Sequence, residues 1–521
     1  MVAANQKRIP PLPGMSPGNV VYGISNGVSG PNFVDTTRGA YGMLMVPSPP
    51  DPGGCSAVQN GVDAVIAVSK LTGKFWLLGQ LTGSPTSFSA NGFVIADKSS
   101  ASLTLNASLY AVCDPLYTNW DKPWLAVGRR FGAAPTDPET MFLVNGIATT
   151  GCSGAFVMHV TESDWSTSPP STPGAQWAGL GYPNPRTVQV RDVLSGCERR
   201  GSGAVPMILG NGRLVVVYRP PDPTDTLRSP AEFFYLDGPQ GFPLSSTVLF
   251  TERKQVEFAL IPPSTPEGVL PLDSSLLAGI SPVPNLPGAC ADPRTGRDGD
   301  AYVSFAGRFA STGTENTDLV VAWLQRNDGQ PAQPLEYNFL RTLHLKDSNL
   351  GMFNGMHQFM PWVAVDGLGG VNQLFYVRDP NDTLTRLKVC YARLPSFDAA
   401  MPSSQLVFVQ ELTPWFDPNI GVNFHVGDYH MIVAEKCYVY VAYKSTHEGH
   451  HQIYVRRINI CTGDVDDDSL IGAGDVPAFA SAYLTQNPAA DLTQDGTVNA
   501  WDVATFTEAI ACQCNPPIPQ P

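Results

Sequence analysis

Apolar positions come in short bursts along most of the chain, never in the long three-and-four spacing of amphipathic helices. Six times an apolar stretch of the x-V-A-V type is followed by a turn and then by a strand of β-branched and aromatic residues. Asp63–Val68 leads to Phe75–Leu78, Asp121–Val127 to Met141–Val144, and Gly203–Leu209 to Leu214–Tyr218. Asp300–Phe305 leads to Asp318–Trp323, Met360–Asp366 to Leu374–Val377, and Tyr429–Ala434 to Tyr438–Tyr443. Several copies continue into a third strand, at Phe156–Val160, Phe233–Leu236, Arg386–Cys390 and Ile453–Arg457. Short strands punctuated by Gly, Pro, Asn and Asp are predicted to form antiparallel meanders. Repeated three- or four-stranded meanders are the blades of a propeller, which closes radially and protects its edges. The predicted class is mainly β, a six-bladed β-propeller over residues 51–460. Residues 1–50 are a Pro/Gly-rich leader, either separate from the first blade or part of it.

The pattern changes after Cys461. Apolar residues Val476, Phe479 and Tyr483, and again Val503, Phe506 and Ile510, recur at helical spacing and predict two helices with one apolar face each. Ahead of each lies a 12-residue loop with oxygen-bearing side chains at positions 1, 3, 5 and 12. Loop one carries Asp464, Asp466, Asp468 and Asp475; loop two carries Asp491, Thr493, Asp495 and Asp502, with Asn499 at position 9. Calcium takes six to eight oxygens, and this spacing wraps them around one ion with a backbone carbonyl at position 7, from Leu470 and from Thr497. The loops repeat at an offset of 27 residues, and ligand positions repeat together with core positions Phe479/Phe506 and Ala482/Ala509. Two calcium ions are expected, with loop two the better site because Ser469 and Gly472 weaken loop one. This module spans 461–515, and 516–521 is a short tail.

Composition sharpens the division. The 521 residues include 49 Gly and 48 Pro, which long helices do not tolerate, and 43% are hydrophobic, enough for a large core. The net charge is -14, and nine acidic residues without a Lys or Arg fall between Cys461 and Pro521. The first 460 residues carry only about -5, so there is no basic field for nucleic acid or anionic lipid. No apolar run approaches the roughly 20 residues needed to span a bilayer. Met1–Pro13 has Lys7 and Arg8 but no apolar stretch behind them, so no signal peptide is read there. Ten cysteines without a CxxC pair favour disulfides outside the cytoplasm over a zinc ribbon, and Cys461 could be clipped to Cys512 or Cys514 across the module.

Two resemblances follow from these residues. Met360–Asp366, Gly427–Tyr429, Val439–Ser445 and Gln452–Val455 resemble the blades of sialidase-like (BNR-repeat) propellers, over most of residues 55–460. That resemblance implies six blades. The nearest counterpart of the family's Asp box is Ser445–Gly449, with His447 in place of Asp, and Arg8-Ile9-Pro10 matches the family's Arg-Ile-Pro element as three residues only. No spacing fixes a Tyr/Glu pair or an Arg triad, so the catalytic residues are unknown and enzyme status is open. Asp428-Tyr429-His430 is a candidate for the central face, since other polysaccharide-cleaving propellers use a His and a Tyr, and His447, Glu448, His450 and His451 could hold a transition metal; they are read chiefly as a strand start and a polar hairpin loop. Residues 461–514 resemble a dockerin, a duplicated EF-hand-like calcium module that attaches secreted proteins to scaffolds or surfaces. Ala473-Gly474 and Ala500-Trp501 stand where cohesin-reading dockerins carry Ser-Thr.

The expectation is therefore an extracellular or cell-surface calcium-binding propeller that binds or scaffolds. Its C-terminal module would hold a protein scaffold or surface component, and the propeller a glycan. The alternative is a glycan-degrading enzyme, a sialidase-type hydrolase or a polysaccharide lyase, tethered by the same module.

Overall fold

The computed structural model describes the strands and helices named below. It is nearly continuous over 286–307, 355–394, 408–418, 438–460 and 472–512, apart from 493–496 and single positions. The chain is mainly β. Strands β1 (Val2–Asn5), β2 (Val20–Gly23) and β3 (Tyr41–Leu44) form a first three-stranded sheet. An eight-stranded sheet follows, from β4 (Asn60–Val68), β5 (Phe75–Ser84), β6 (Ser87–Lys98), β7 (Leu109–Cys113), β8 (Trp120–Gly128), β9 (Thr140–Ala148), β10 (Ser153–Thr161) and β11 (Thr187–Gln189). It consists of two four-stranded meanders joined through the pair Ala90 and Trp120.

Three four-stranded sheets come next. The first holds β12 (Ser202–Ile208), β13 (Leu214–Arg219), β14 (Glu232–Leu236) and β15 (Arg253–Gln255). The second holds β16 (Gly288–Ala291), β17 (Ala301–Gly307), β18 (Asp318–Arg326) and β19 (Tyr337–His344). The third holds β20 (His357–Val365), β21 (Val371–Arg378), β22 (Leu387–Leu394) and β23 (Phe408–Glu411). The last sheet has three strands, β24 (Met431–Ala434), β25 (Tyr438–Ser445) and β26 (Gln452–Asn459). Every described pairing is antiparallel between consecutive strands, apart from the single join between β6 and β8.

The first strand of each meander lies against the first strand of the next, from β4 through β8, β12, β16 and β20 to β24, and β1 lies against β4. Four of these strands share one irregularity. Two residues oppose a single partner residue just before Val65, Trp124, Val205 and Trp362, which is a β-bulge at the same place in each repeat. The extra residue re-aims the side chain that follows it. Those four residues belong to a single buried cluster, where the Trp124 and Trp362 rings stack at 4.7 Å and 14°. Pro123 and Pro361 sit inside the bulges, the one place within a sheet where a missing N–H costs no ladder bond. Met360, just before Pro361, is held at φ 51, a left-handed conformation that costs a non-glycine residue on the order of 1–3 kcal/mol.

Between neighbouring sheets the strands are buried on both faces, as β20 and β21 show along their full lengths. That explains the unbroken apolar runs in the sequence. β25 instead alternates, burying Val439, Val441 and Tyr443 while the residues between them stay half-buried. The last sheet is thus covered more fully on one face than on the other.

The structure corrects one repeat and adds one unit. Asp300–Phe305 falls in the second strand of its meander, and the first is Gly288–Ala291. Aligned on the preceding proline, Gly288 stands where the other repeats carry Trp124 or Trp362. A Cβ there would come 2.8 Å from the Pro361 carbonyl and 2.9 Å from the Trp362 Cα, so the strand has no β-branched residue by which to be recognised. Sheet β1–β3, within the leader, is a further meander outside the six repeats. Two cysteines also depart from the disulfide expectation: Cys290 and Cys390 are free thiols, Cys390 buried and Cys290 partly so, and burial pushes both pKa values up.

Gly288→Ala is expected to cost about 1–3 kcal/mol, because the obstructing atoms are backbone and cannot rotate away. Denaturant unfolding should show a lower midpoint at unchanged slope; an unchanged midpoint would mean that β16 and β20 do not approach this closely.

Candidate functional site

After the last strand come α1 (Asp475–Leu484), a 3-10 turn at Pro488–Ala490 and α2 (Ala500–Cys512). The two helices are held together by a face-to-face stack of Phe479 on Phe506, with centroids 4.1 Å apart and planes 7° apart. Ala482 and Ala490 complete this small core, and Val465, Leu492 and Val498 from the loops pack against it. Equivalent residues of the duplication therefore meet in space.

Each helix begins with a buried carboxylate. Asp475 is 1% exposed and Asp502 is 0% exposed. Asp475 draws its own loop inward: Oδ1 accepts the Val465 N–H at 2.6 Å and Oδ2 accepts the Gly472 N–H at 2.8 Å. Asp502 Oδ2 accepts the Asn499 N–H at 2.7 Å. Carboxylates in the first turn are favoured by the partial positive charge of the helix N-terminus. A carboxylate has about four acceptor positions, so one oxygen can take backbone N–H groups and an ion together. The donor set suits a hard cation that prefers oxygen.

The other predicted ligands are divided. Asp464, Asp466, Asp468, Leu470, Thr493 and Asp495 lie outside the described residues, as do Cys461 and Cys514. In loop two, Asp491 is half-buried directly after the 3-10 turn. Thr497 is exposed, and its carbonyl and Oγ1 accept Asn499 Nδ2 at 3.1 and 3.0 Å. Asn499 Oδ1 accepts the Trp501 N–H at 2.8 Å, which fixes the entry into α2. Of the described loop-two residues, Asp502 is the most deeply buried. Among the described residues no group of three or more acidic, His or Cys side chains converges as a metal cluster.

The predicted apolar faces are only partly used. Phe479 and Phe506 are buried, but Val476 and Val503 remain exposed, and with Tyr483 and Ile510 they line an open apolar groove between the helices. Trp501, at position 11 of loop two, is 58% exposed.

In the β region, Asp428 and Tyr429 lie outside the described residues. His430 does not face a channel: it is 2% exposed, tilted against Tyr376 at 4.8 Å, and neither ring nitrogen has a hydrogen-bond partner. Burial, with the Lys444 charge adding to it, pushes its pKa down to about 3. The other histidines form the β25–β26 turn. His447 packs on Tyr454, its Nδ1 lies 2.9 Å from Ser445 Oγ, and Gly449 takes φ +83. His450 Nε2 is 2.8 Å from Gln452 Oε1. This is turn chemistry, and the three histidines do not converge on one point.

Sequence reasoning missed a polar network at the far ends of β16 and β20. Asp366, fully buried, accepts the Gly370 N–H, Asn372 Nδ2 and Arg393 Nε at 2.9 to 3.0 Å. Arg294, chelated by Asp292, lays its guanidinium over Gly369 of the neighbouring sheet, whose φ of +89 favours glycine. Aligning Pro287–Asp292 with Pro361–Asp366 would have shown that both repeats end on Asp.

No protein-family model matches the chain, and no curated protein matches it. Solved structures similar to it include an endo-arabinase from Bacteroides thetaiotaomicron, at 12% identity over 68% of this chain and 94% of that one, TM-score 0.27. The Hadza microbial sialidase Hz136 is similar at 10% identity over 64% and 53%, TM-score 0.32. The leech intramolecular trans-sialidase is similar at 10% identity over 68% and 60%, TM-score 0.29. These are partial likenesses.

His430 gives a pH prediction whose sign is fixed by burial. Its folded-state pKa lies below the unfolded value of about 6.5, so the unfolded chain takes up the proton first and stability falls as pH drops below that value. About 2 kcal/mol should be lost between pH 6.5 and pH 5. Urea unfolding at both pH values, compared between wild type and His430→Phe, should show that part of the slope only in wild type.

Proposed function

We propose that the chain is an extracellular or cell-surface β-propeller that acts as a binding or scaffold protein, with a dockerin-like C-terminal module mediating attachment. The repeated meanders supply six blades, and the first strands that converge on Trp124 and Trp362 supply the hub. The observation that carries the attachment reading is the pair of buried carboxylates, Asp475 and Asp502, at equivalent positions ahead of two helices joined by Phe479 and Phe506. In this reading Asp464, Asp466, Asp468, the Leu470 carbonyl and Asp475 hold one calcium ion. Asp491, Thr493, Asp495, the Thr497 carbonyl, Asn499 and Asp502 hold the other. The two ions would offset about four of the nine negative charges of a module that has no basic side chain. The exposed Val476, Leu484, Trp501 and Val503 supply the surface for a protein scaffold or cell-surface component, while the propeller holds a glycan.

The second reading makes the propeller a glycan-degrading enzyme, a sialidase-type hydrolase or polysaccharide lyase, tethered by the same module. The similar solved structures are named for glycan-cleaving proteins. A screen of the full chain against sialosides, arabinans and acidic polysaccharides separates the two: turnover selects the enzyme, and retention without turnover selects the binding protein.

Calorimetric titration of the calcium-stripped full chain should show two bound calcium ions. Asp475→Ala and Asp502→Ala should each remove one, with Asp502→Ala abolishing the tighter. A wild-type titration without heat, and without a calcium-dependent gain in thermal stability, would defeat the calcium reading.

A further inference from the structure

Helix α2 belongs to two cores at once. Near its start, Asp502 turns into loop two and accepts the Asn499 N–H, and one turn later Phe506 stacks on Phe479 in the module's own core. Near its end, Ala509, 3% exposed, belongs to the same buried cluster as Ile432, Val439, Ile458 and Ile460 of the last sheet and its exit. Ile510 packs against both clusters. Seven residues of helix separate Asp502 from Ala509, about 10 Å at 1.5 Å per residue.

We infer that α2 is a clamp: the module docks onto the β24–β26 sheet through the C-terminal half of this helix, and an ion bound at loop two holds that sheet closed. The clamp rests on the calcium reading above and goes beyond attachment, because it makes the ion a stabiliser of the propeller's terminal sheet as well as of the module. Three features of the molecule support it. Among the described residues the β24–β26 sheet has three strands where most other units have four, and its middle strand is covered more fully on one face. Among the described residues β24 packs against β20 and β21 of the preceding sheet. The chain then passes from Ile460, itself buried in the shared cluster, directly into loop one.

The physical consequence is linkage. A ligand that binds only the folded site stabilises every opening in which that site is lost, by a factor of one plus the ratio of free ligand to Kd. Because Ala509 and Ile510 leave the sheet when α2 unwinds, openings of β25 and β26 that release α2 carry the same factor. Residues remote from the clamp, such as Ala301–Gly307, do not.

The test is hydrogen exchange read by mass spectrometry on the full chain, with calcium about one hundredfold above its Kd and then with chelator. Calcium should slow exchange up to about 100-fold in 475–512 and measurably in 438–460, leaving 301–307 unchanged. In Ala509→Glu, which places a charge in the shared cluster, the module's slowing should persist and the 438–460 slowing should vanish. Slowing confined to 475–512 in wild type would overturn the clamp while leaving calcium binding intact. No slowing anywhere would defeat the calcium reading and the clamp with it. Because the wild-type comparison alone decides the matter, a misfolded variant would not rescue the inference.

Discussion

A β-sheet that is apolar on both faces must have a neighbour on both faces, and in this chain that need is met at the first strand of each repeat. Side chains from four sequence-distant strands have to reach one place, and the bulge before Val65, Trp124, Val205 and Trp362 is what turns them there. The other unusual local features follow from this crowding. Met360 is held at positive φ because the bulge that presents Trp362 includes it, and Gly288 lacks a side chain because the backbone of that bulge already fills the space. A stacked indole pair adds about 0.5–1.5 kcal/mol beyond its buried area, so strain of similar size at Met360 is offset locally.

Packing sheets this tightly leaves hairpin ends with buried polar groups, which bond mostly within their own sheet and at Gln373 across to the next. Asp366 gathers Gly370, Asn372 and Arg393, Tyr391 donates to Asn372 Oδ1, and Gln373 reaches Ser304 on the neighbouring sheet. Breaking one member takes a buried bond from each of its partners, so such networks specify one arrangement of neighbours more than they add stability. His430 follows the opposite rule. It is kept neutral between Tyr376 and the last sheet, and it is tolerated because an uncharged imidazole costs far less to bury than a carboxylate.

Much of the β architecture was legible in the sequence because its information is local. The strands Leu214–Tyr218 and Leu374–Val377 are dense in β-branched and aromatic residues, and their turns carry Gly or Asn. The Gly288 strand was illegible for the same reason, since its identity is set by the Trp362 backbone 74 positions away and not by its own propensity. The leader strands Val2–Asn5 and Tyr41–Leu44 are short and carry no repeat signature. In the module, the 27-residue offset paired Phe479 with Phe506 correctly, because a duplication encodes its own long-range contact. It could not show that Val476 and Val503 stay outside the stack, because which part of an apolar stripe is covered depends on the angle between helices.

The size of that stack says what the module depends on. Its own core consists of Phe479, Ala482, Ala490 and Phe506, a small apolar payload against the conformational entropy of some fifty residues. Domains this small usually need a metal, a disulfide or a partner surface to stay folded. The chain supplies candidates for each: two buried carboxylates in the first turns of the helices, cysteines flanking the module, and a contact with the last sheet through Ala509. Of the three, a bound cation alone would also relieve the mutual repulsion of Asp464, Asp466, Asp467 and Asp468, which sheet contact and cross-linking leave in place.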